Sequence, residues 1–225
     1  MLDRLERAQR QKTRLVSDAS HELRSTVAAS RAQLEVALTN PEHTDWVATS
    51  QTVLAEQEHL LSLISDPLVL SRLDESAPST HAEVDLVAIL DDEARRPHPV
   101  PISFNGGSEG PLVGDVQMLT RAVRNLIDNA TRHANTRVEI SIEQVTRDGL
   151  RINVDDDGPG ITPANRELIF DRFTRLDEAR NRGTGGAGLG LAIVKEVVRV
   201  HHGEVRCEQS PLGGARFTLE LTVRS

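Results

Sequence analysis

The chain has 225 residues, of which 38% are hydrophobic and 27% are charged, so it is globular and long enough for one or two domains with hydrophobic cores. Its 26 Lys and Arg residues against 34 Asp and Glu residues give a formal net charge of -8, which argues against a surface that binds nucleic acid or anionic lipid. Cys207 is the single cysteine, so no internal disulfide is possible and a reducing compartment such as the cytoplasm is expected.

The first third of the chain has the pattern of a helical hairpin. Residues 1–76 contain no glycine and are rich in Ala, Leu, Glu, Gln and Arg, which predicts helix. Residues 39–45 (TNPEHTD) combine a proline with cap-forming side chains and predict a turn between two amphipathic helices. Two such helices cannot enclose a core alone, so we expect a homodimer in which two hairpins form a four-helix bundle. A monomeric hairpin covered by the rest of the chain is the alternative.

Small and polar residues then mark a linker, which we place at 77–82, and residues 83–225 have a different character. Alternating apolar residues in this second part predict strands at 137–142, 150–154, 203–207 and 216–223. Helical patterns lie near 86–95, 116–133 and 189–202. The mixture predicts an α+β domain, a sheet with helices on one face. His201 and His202 end the last predicted helix, where positive charge is favourable.

A strand that runs into three aspartates carries the first chemical signal. In the segment LRINVDDDGPG, alternation puts Asp156 on the apolar face of the strand, while Asp155 and Asp157 point the other way. A partly buried carboxylate needs hydrogen-bond donors, and an exocyclic amine such as that of adenine is a natural one. Gly158 and Gly160 permit a tight turn and close backbone approach. An acidic β-turn without a ligand is the alternative.

The predicted helix at 116–133 carries two asparagines on one face. Asn125 and Asn129 are four residues apart and Arg132 follows three further on, so all three lie beside the apolar stripe. Asn is a weak helix former, and its neutral oxygen suits a hard cation such as Mg²⁺ whose other ligands are phosphate and water. Two exposed asparagines without a ligand are the alternative.

The segment GTGGAGLG at 183–190 has the spacing of a dinucleotide fingerprint. That interpretation fails, because the preceding residues 175–182 are polar and loop-like rather than a buried strand. The segment instead predicts a polar lid whose glycines open the helix at 189–202. The free N–H groups and the dipole of that helix N-terminus suit a polyphosphate.

In this order the motifs resemble the catalytic core of a bacterial two-component sensor histidine kinase, and the resemblance covers nearly all of the chain. The matching motifs are HELR at 21–24 (H-box), Asn125 with Asn129 (N-box), DDGPG at 156–160, IFDRF at 169–173 (F-box) and GAGLG at 186–190. The resemblance implies a dimeric helical hairpin at 1–76 followed by a Bergerat-type (GHKL) ATP-binding sandwich at 83–225.

The resemblance also implies the ATP site. Its residues would be Asn125, Asn129, Arg132, His133, Asp156, Gly158, Gly160, Phe170, Phe173, Gly186, Gly188 and Gly190. Asp156 would accept from the adenine amine and Asn129 would hold Mg²⁺, with Arg132 and the lid glycines near the phosphates. Phe170 and Phe173 would anchor the lid, although the phenylalanines alone would indicate ordinary core.

The segment SHELRSTV contains the residue that the resemblance makes the phosphoacceptor. His21 is two positions from Ala19 and from Leu23, about 200° around a helix from the apolar seam, so it faces solvent. A neutral imidazole can attack the γ-phosphorus of ATP while a carboxylate, here Glu22, orients the ring and takes its proton. Related ATPases carry Glu at the position of Asn125, and Asn cannot activate water, which fits transfer to His21. An aspartate on the receiver domain of a response regulator would then accept the phosphoryl group.

Two residues depart from the family's H-box. Ser25 and Thr26 stand where Thr or Asn and then Pro are usual. The residue at Ser25 would orient water for dephosphorylating the regulator, and we expect the shorter hydroxyl to retain this phosphatase activity weakly. Thr26 removes a proline bend from the first helix, whereas Pro67 interrupts the second, so we expect the bend at 63–67 instead.

Two other functions remain open on the sequence. A non-catalytic scaffold or phosphatase-only relative would explain the altered H-box, and a plain ATPase or chaperone of the same superfold is disfavoured by Asn125. Residues 1–7 begin inside a helical pattern without an N-cap, so we expect a cytoplasmic fragment of a longer receptor in the bacterial inner membrane. No apolar stretch here approaches the ~20 residues of a membrane span, so upstream segments would provide the membrane contact.

Overall fold

The computed structural model describes residues 27–50, 52–54, 82–107, 112–146, 149–172, 174 and 188–222. Of the described residues, 27–54 fall in one compact unit and those from 82 onward fall in a second. Of the predicted linker at 77–82, only Ala82 lies within the described residues, and it begins a strand.

The first unit contains two helical segments joined by a turn. Residues 27–39 form helix α1, and residues 46–50 and 52–54 belong to helix α2. Asp45 caps α2, because its Oδ1 accepts hydrogen bonds at 3.0 Å from the backbone N–H groups two and three residues further on. The turn predicted at 39–45 is therefore confirmed.

Large apolar side chains of this first unit are exposed in the single chain: Val27, Leu34, Val36, Leu38, Trp46, Val47 and Leu54. Leu34 and Leu38 are four positions apart in α1 and so share one face of this helix, and a contiguous exposed apolar face is typical of surfaces on which another chain packs. The four-helix bundle formed by two chains stays a prediction.

The second unit is built on a mixed sheet and a short strand pair. The five strands of its sheet are β2 (Ile102–Asn105), β4 (Val138–Thr146), β5 (Gly149–Asp156), β6 (Glu204–Gln209) and β7 (Ala215–Thr222). They lie in the order β2-β4-β5-β7-β6, and all neighbouring strands are antiparallel except the parallel pair β2 and β4. The separate antiparallel pair consists of β1 (Ala82–Val84) and β3 (Leu112–Gly114).

Within the described residues, three α-helices cover the apolar face of this sheet, as the sequence predicts. They are α3 (Leu86–Ala94), α4 (Val116–His133) and α5 (Gly190–Val200), and two 3₁₀ turns lie at Pro163–Asn165 and Leu168–Phe170. The core between the layers is formed by side chains such as Leu126, Ile127, Ile152, Ile193 and Phe217, each at most 1% exposed. No helix within the described parts of the chain is both long enough and apolar enough to cross a membrane.

His201 joins the C-terminal end of α5 to the N-terminal end of α4. Its Nε2 accepts a hydrogen bond from the Asp115 N–H at 3.0 Å, and its Nδ1 donates to the Val197 carbonyl at 2.8 Å. Asp115 in turn caps α4 by accepting from the N–H groups of Gln117 and Met118. A ring nitrogen that accepts a hydrogen bond carries no proton. His201 is the C-cap of α5, as the sequence predicts for this helix end, but its ring is buried and neutral and therefore adds no positive charge there.

A buried carboxylate ties α3 to α4. Glu93 is 5% exposed and accepts hydrogen bonds from the guanidinium groups of Arg124 at 2.7 Å and Arg96 at 3.0 Å. Burial raises the pKa of the Glu93 carboxyl, but the hydrogen bonds and charges of the two arginines outweigh burial, and the pKa lies below its ordinary value. The contact fixes the middle of α4 next to Asn125.

We expect Glu93→Gln to lower the free energy of unfolding by about 2 kcal/mol at neutral pH, because it removes a buried, charge-assisted interaction. A lowered pKa in the folded state means that this stabilisation is present above the unfolded-state pKa and is lost as pH falls through the folded-state pKa. Denaturant titrations at neutral pH and below about pH 4 measure both effects.

The matched control is Asp91→Asn, which removes an exposed ion pair between α3 and its C-cap residue Arg95. It should cost less than about 0.5 kcal/mol. Equal losses in the two variants would show that Glu93 acts as an ordinary surface charge.

Candidate functional site

The Asp156 side chain lies on the inner face of the sheet at the end of β5, as the strand alternation predicts. It is 2% exposed, and its Oδ1 accepts hydrogen bonds from the N–H groups of Gly158 at 2.8 Å and Ala215 at 3.1 Å. Burial raises the pKa of the Asp156 carboxyl, and the two backbone hydrogen bonds oppose this rise. The described residues give Oδ2 no hydrogen bond, so this oxygen can accept one from a ligand.

Two glycines after β5 let the backbone pass close to neighbouring segments. A Cβ on Gly158 would lie 2.2 Å from the His133 carbonyl oxygen at the end of α4. Gly160 has a φ of 72°, a conformation that residues with a Cβ rarely adopt. The tight turn and the close approach expected from the sequence are both present.

Gly214 belongs to this site, and the sequence analysis missed it. It lies in the turn between β6 and β7, and a Cβ there would be 2.1 Å from Asp156 Oδ1 and 2.5 Å from the Gly158 nitrogen. The glycine pair before a predicted strand was visible in the sequence, but its role depends on the pairing of β7 with β5. Gly214 therefore completes the cradle around the buried carboxylate.

Helix α4 brings the predicted asparagines to the other side of the site. Asn125 and Asn129 are half-buried, whereas Arg132 and His133 are exposed. Asn125 Nδ2 is buried and has no hydrogen-bond partner among the described residues. A Cβ on Gly190, at the start of α5, would lie 3.3 Å from Asn125 Oδ1, so these two helices meet closely at this point.

The end of α4 lies near Asp156. The charge of His133 acts to lower the pKa of the Asp156 carboxyl, and Gly158 packs under the His133 carbonyl. The structure thus brings the N-box helix and the DDGPG loop together. A buried acceptor at the end of β5, and an amide donor and a helix N-terminus where α4 meets α5, suit a ligand with an amine at one end and anionic groups at the other.

Phe170 is a core residue in the 3₁₀ turn Leu168–Phe170. It is 6% exposed, and its ring packs edge-to-face on Phe217 of β7 with the ring centroids 6.3 Å apart. This packing holds the F-box segment against the sheet. The role of Phe170 in anchoring a lid stays a prediction.

Several predicted features lie outside the described residues: His21, Glu22, Ser25, Thr26, Phe173, Gly186 and the bend at 63–67 with Pro67. Of the predicted lid glycines, Gly188 and Gly190 are described. Gly188 has a φ of 70°, and Gly190 is the first residue of α5.

Comparisons with known proteins agree with this geometry. Residues 114–225 match the family described as histidine kinase-, DNA gyrase B-, and HSP90-like ATPase. The solved structure of the mycobacterial sensor histidine kinase MprB is 32% identical, with a TM-score of 0.56 over 64% of this chain and 99% of that chain. The chain belongs to the sensor histidine kinase family.

Two further relatives extend the match to the N-terminal part of this histidine kinase chain. The sensor histidine kinase CpxA of Escherichia coli (strain K12) is 38% identical over 229 residues, covering 98% of this chain and 49% of CpxA. The crystal structure of full-length ShkA in complex with AMPPNP is 25% identical, with a TM-score of 0.64 over 93% of this chain and 46% of that chain. The chain spans about half the length of the curated relatives that it matches first.

The family assignment confirms the resemblance seen in the sequence and the α+β ATP-binding sandwich of the GHKL type. Members of this family are protein-histidine kinases. The roles of the individual site residues, the dimeric bundle and the domain boundaries at 76 and 83 stay predictions.

We expect Gly214→Ala to weaken binding of a non-hydrolysable ATP analogue by about tenfold, because the new Cβ collides with Asp156 Oδ1. Isothermal titration calorimetry measures the affinity. Gly213→Ala is the matched control, since Gly213 has a φ of 104° and no atom within 4 Å of a Cβ. It should cost about 1 kcal/mol of stability through backbone strain and leave the affinity unchanged. If both variants bound the analogue with the same affinity, the collision of the new Cβ with Asp156 would not affect nucleotide binding.

Proposed function

We propose that this chain is the catalytic core of a sensor kinase that transfers the γ-phosphoryl group of ATP to His21, and from there to an aspartate on the receiver domain of a response regulator. The Asp156 carboxylate is the observation that carries the proposal. It is buried, one of its oxygens is held by two backbone N–H groups, and its other oxygen remains able to accept from a ligand.

The Asp156 site favours adenine over guanine. A carboxylate oxygen accepts hydrogen bonds, and adenine presents an amine where guanine presents a carbonyl oxygen. The lone pairs of that carbonyl would face the buried carboxylate and leave it without a donor. This chemistry supports ATP as the phosphoryl donor, in agreement with the AMPPNP in the ShkA structure.

The other side of the site suits phosphates and a divalent cation. Asn125 Nδ2 is a buried donor without a partner among the described residues, and the N-terminus of α5 provides further N–H groups. Asn129 is half-buried, and its neutral amide oxygen is a hard ligand of the kind that binds Mg²⁺. Arg132 lies three residues further along the helix, where its positive charge suits phosphates. A bound Mg²⁺ would neutralise part of the negative charge of the phosphates.

The proposed acceptor is His21, with Glu22 to orient its ring and take its proton. Asn125 supports transfer to a side chain rather than hydrolysis, because an amide cannot remove a proton from water. Positioning and charge neutralisation then provide most of the catalysis.

We further propose that the protein acts as a homodimer, because the exposed apolar side chains of α1 and α2 provide a surface for a second hairpin.

The proposed protein partner is the receiver domain of a response regulator. Ser25 would support a weak phosphatase activity on that regulator. Upstream segments would anchor the protein in the membrane with this part in the cytoplasm, and no contact with nucleic acid is proposed.

We expect Asp156→Asn to weaken ATP binding by about 100-fold, measured by isothermal titration calorimetry. The amide oxygen would replace Oδ1, because two backbone N–H groups require an acceptor there. The amide Nδ2 would then face the adenine amine, donor against donor. Asp92→Asn, an exposed change on α3, is the control and should bind normally. Normal binding by Asp156→Asn would remove the basis of the proposed site.

We expect incubation with γ-labelled ATP to give a protein-bound label that is acid-labile and base-stable. The label should be absent from His21→Ala and present in His43→Ala, whose imidazole is exposed and has no proposed role. ATP binding without any label would favour the scaffold or phosphatase-only alternative. Phosphate release without labelled protein would favour the plain ATPase.

A further inference from the structure

The Asp157 side chain, next to the buried Asp156, is turned toward the segment that follows α4. Its Oδ1 accepts hydrogen bonds from the backbone N–H groups of Asn135 at 2.8 Å, Thr136 at 3.0 Å and Arg137 at 3.3 Å. Its Oδ2 accepts from the Thr136 N–H at 3.1 Å and from the Thr136 hydroxyl. The Asp157 carboxylate therefore accepts hydrogen bonds from three consecutive residues, 135–137.

The contact also runs in the opposite direction. Asn135 Nδ2 donates to the Asp157 carbonyl at 2.6 Å. Three successive N–H groups directed at one point form an anion-binding concavity, and the chain fills it with its own carboxylate. The Thr136 hydroxyl and the backbone N–H groups hold the pKa of the Asp157 carboxyl far below its usual range. The carboxylate is therefore charged throughout the physiological pH range.

This carboxylate connects the two elements that the proposed ATP site requires. Asp156 is the last residue of β5, and Asn129 and Arg132 lie in the last two turns of α4. The segment held by Asp157 begins directly after the Ala134 cap of α4 and leads into β4. A shift of this segment would change the distance between Asp156 and the phosphate-facing residues of α4.

We propose that Asp157 is a positioning residue for nucleotide binding, which sets the end of α4 at the distance from Asp156 that ATP spans. This inference rests on the proposed function, because it assigns the adenine to Asp156 and the phosphates to α4. A ligand that contacts both ends depends on that distance. A ligand that contacts only Asp156, such as adenosine, does not depend on it.

The test is Asp157→Asn, which retains one acceptor oxygen but replaces the other by an NH₂ group that cannot accept from Thr136. Adenosine and Mg²⁺-ATP compete separately against a fluorescent ATP analogue on the full chain. We expect the affinity for ATP to fall about tenfold and that for adenosine less than about twofold. A merely structural defect would lower both affinities by the same factor, and equal losses, or none, would overturn the proposal.

Glu139→Gln is the matched control, because it removes a nearby carboxylate whose side-chain partner among the described residues is the Arg137 guanidinium alone. It should leave the ratio of the two affinities unchanged. Thr136→Val is a milder variant that removes the hydroxyl, and we expect it to lower the ratio of the affinity for ATP to the affinity for adenosine. Thr136→Ser keeps a hydroxyl and should leave this ratio unchanged. An unchanged ratio in Thr136→Val would also count against the proposal.

The same titrations separate this inference from the proposed function. If the unaltered chain binds neither ligand, or Asp156→Asn binds ATP normally, both proposals fail. If the unaltered chain binds ATP through Asp156 but Asp157→Asn keeps the affinity ratio, only the positioning role fails.

Discussion

The site depends on one hydrogen-bond arrangement, the capture of Asp156 Oδ1 by two N–H groups from distant parts of the chain. One comes from Gly158 in the following turn, and the other comes from Ala215, which lies 59 residues beyond Asp156 in the sequence. The second contact exists because β5 and β7 are antiparallel neighbours, which brings the start of β7 beside the end of β5. Gly214 and Gly158 leave the space that this arrangement occupies. The sheet topology thus determines which carboxylate oxygen remains for a ligand.

Three consecutive aspartates follow one another at this edge, and each has a different partner. Adjacent carboxylates raise each other's pKa unless their charges are compensated. The guanidinium of Arg216 donates twice to Asp155 at 2.8 Å on the outer face of the sheet. The segment after α4 stabilises the charge of Asp157, and burial together with this charge acts to raise the pKa of the Asp156 carboxyl. The alternation of β5 makes this division possible, because neighbouring side chains point to opposite faces.

The local sequence pattern predicted the helix and the strand that carry the site. It did not predict features that depend on contacts between residues far apart in the sequence. The boundaries of α4 and the inward direction of Asp156 follow from helical and strand periodicity. The strands β1 and β3 have three residues each, too few to show alternation. The role of Gly214 depends on strand pairing, and the neutral state of His201 depends on an N–H group 86 residues away. Neither partner can be read from the residues beside these positions.

Helix α4 is held at three points along its length. His201 binds the backbone at Asp115 before the first turn, Glu93 holds the middle, and Asp157 holds the segment after the last turn. These contacts preorganise the proposed binding residues on α4, because the helix is already in place before a ligand binds and no free energy is needed to order it. The chain enters α5 through Gly188, whose φ of 70° is a conformation that favours glycine. If binding rearranges the site, the change should therefore fall at the entry to α5, while α4 and the end of β5 keep their distance.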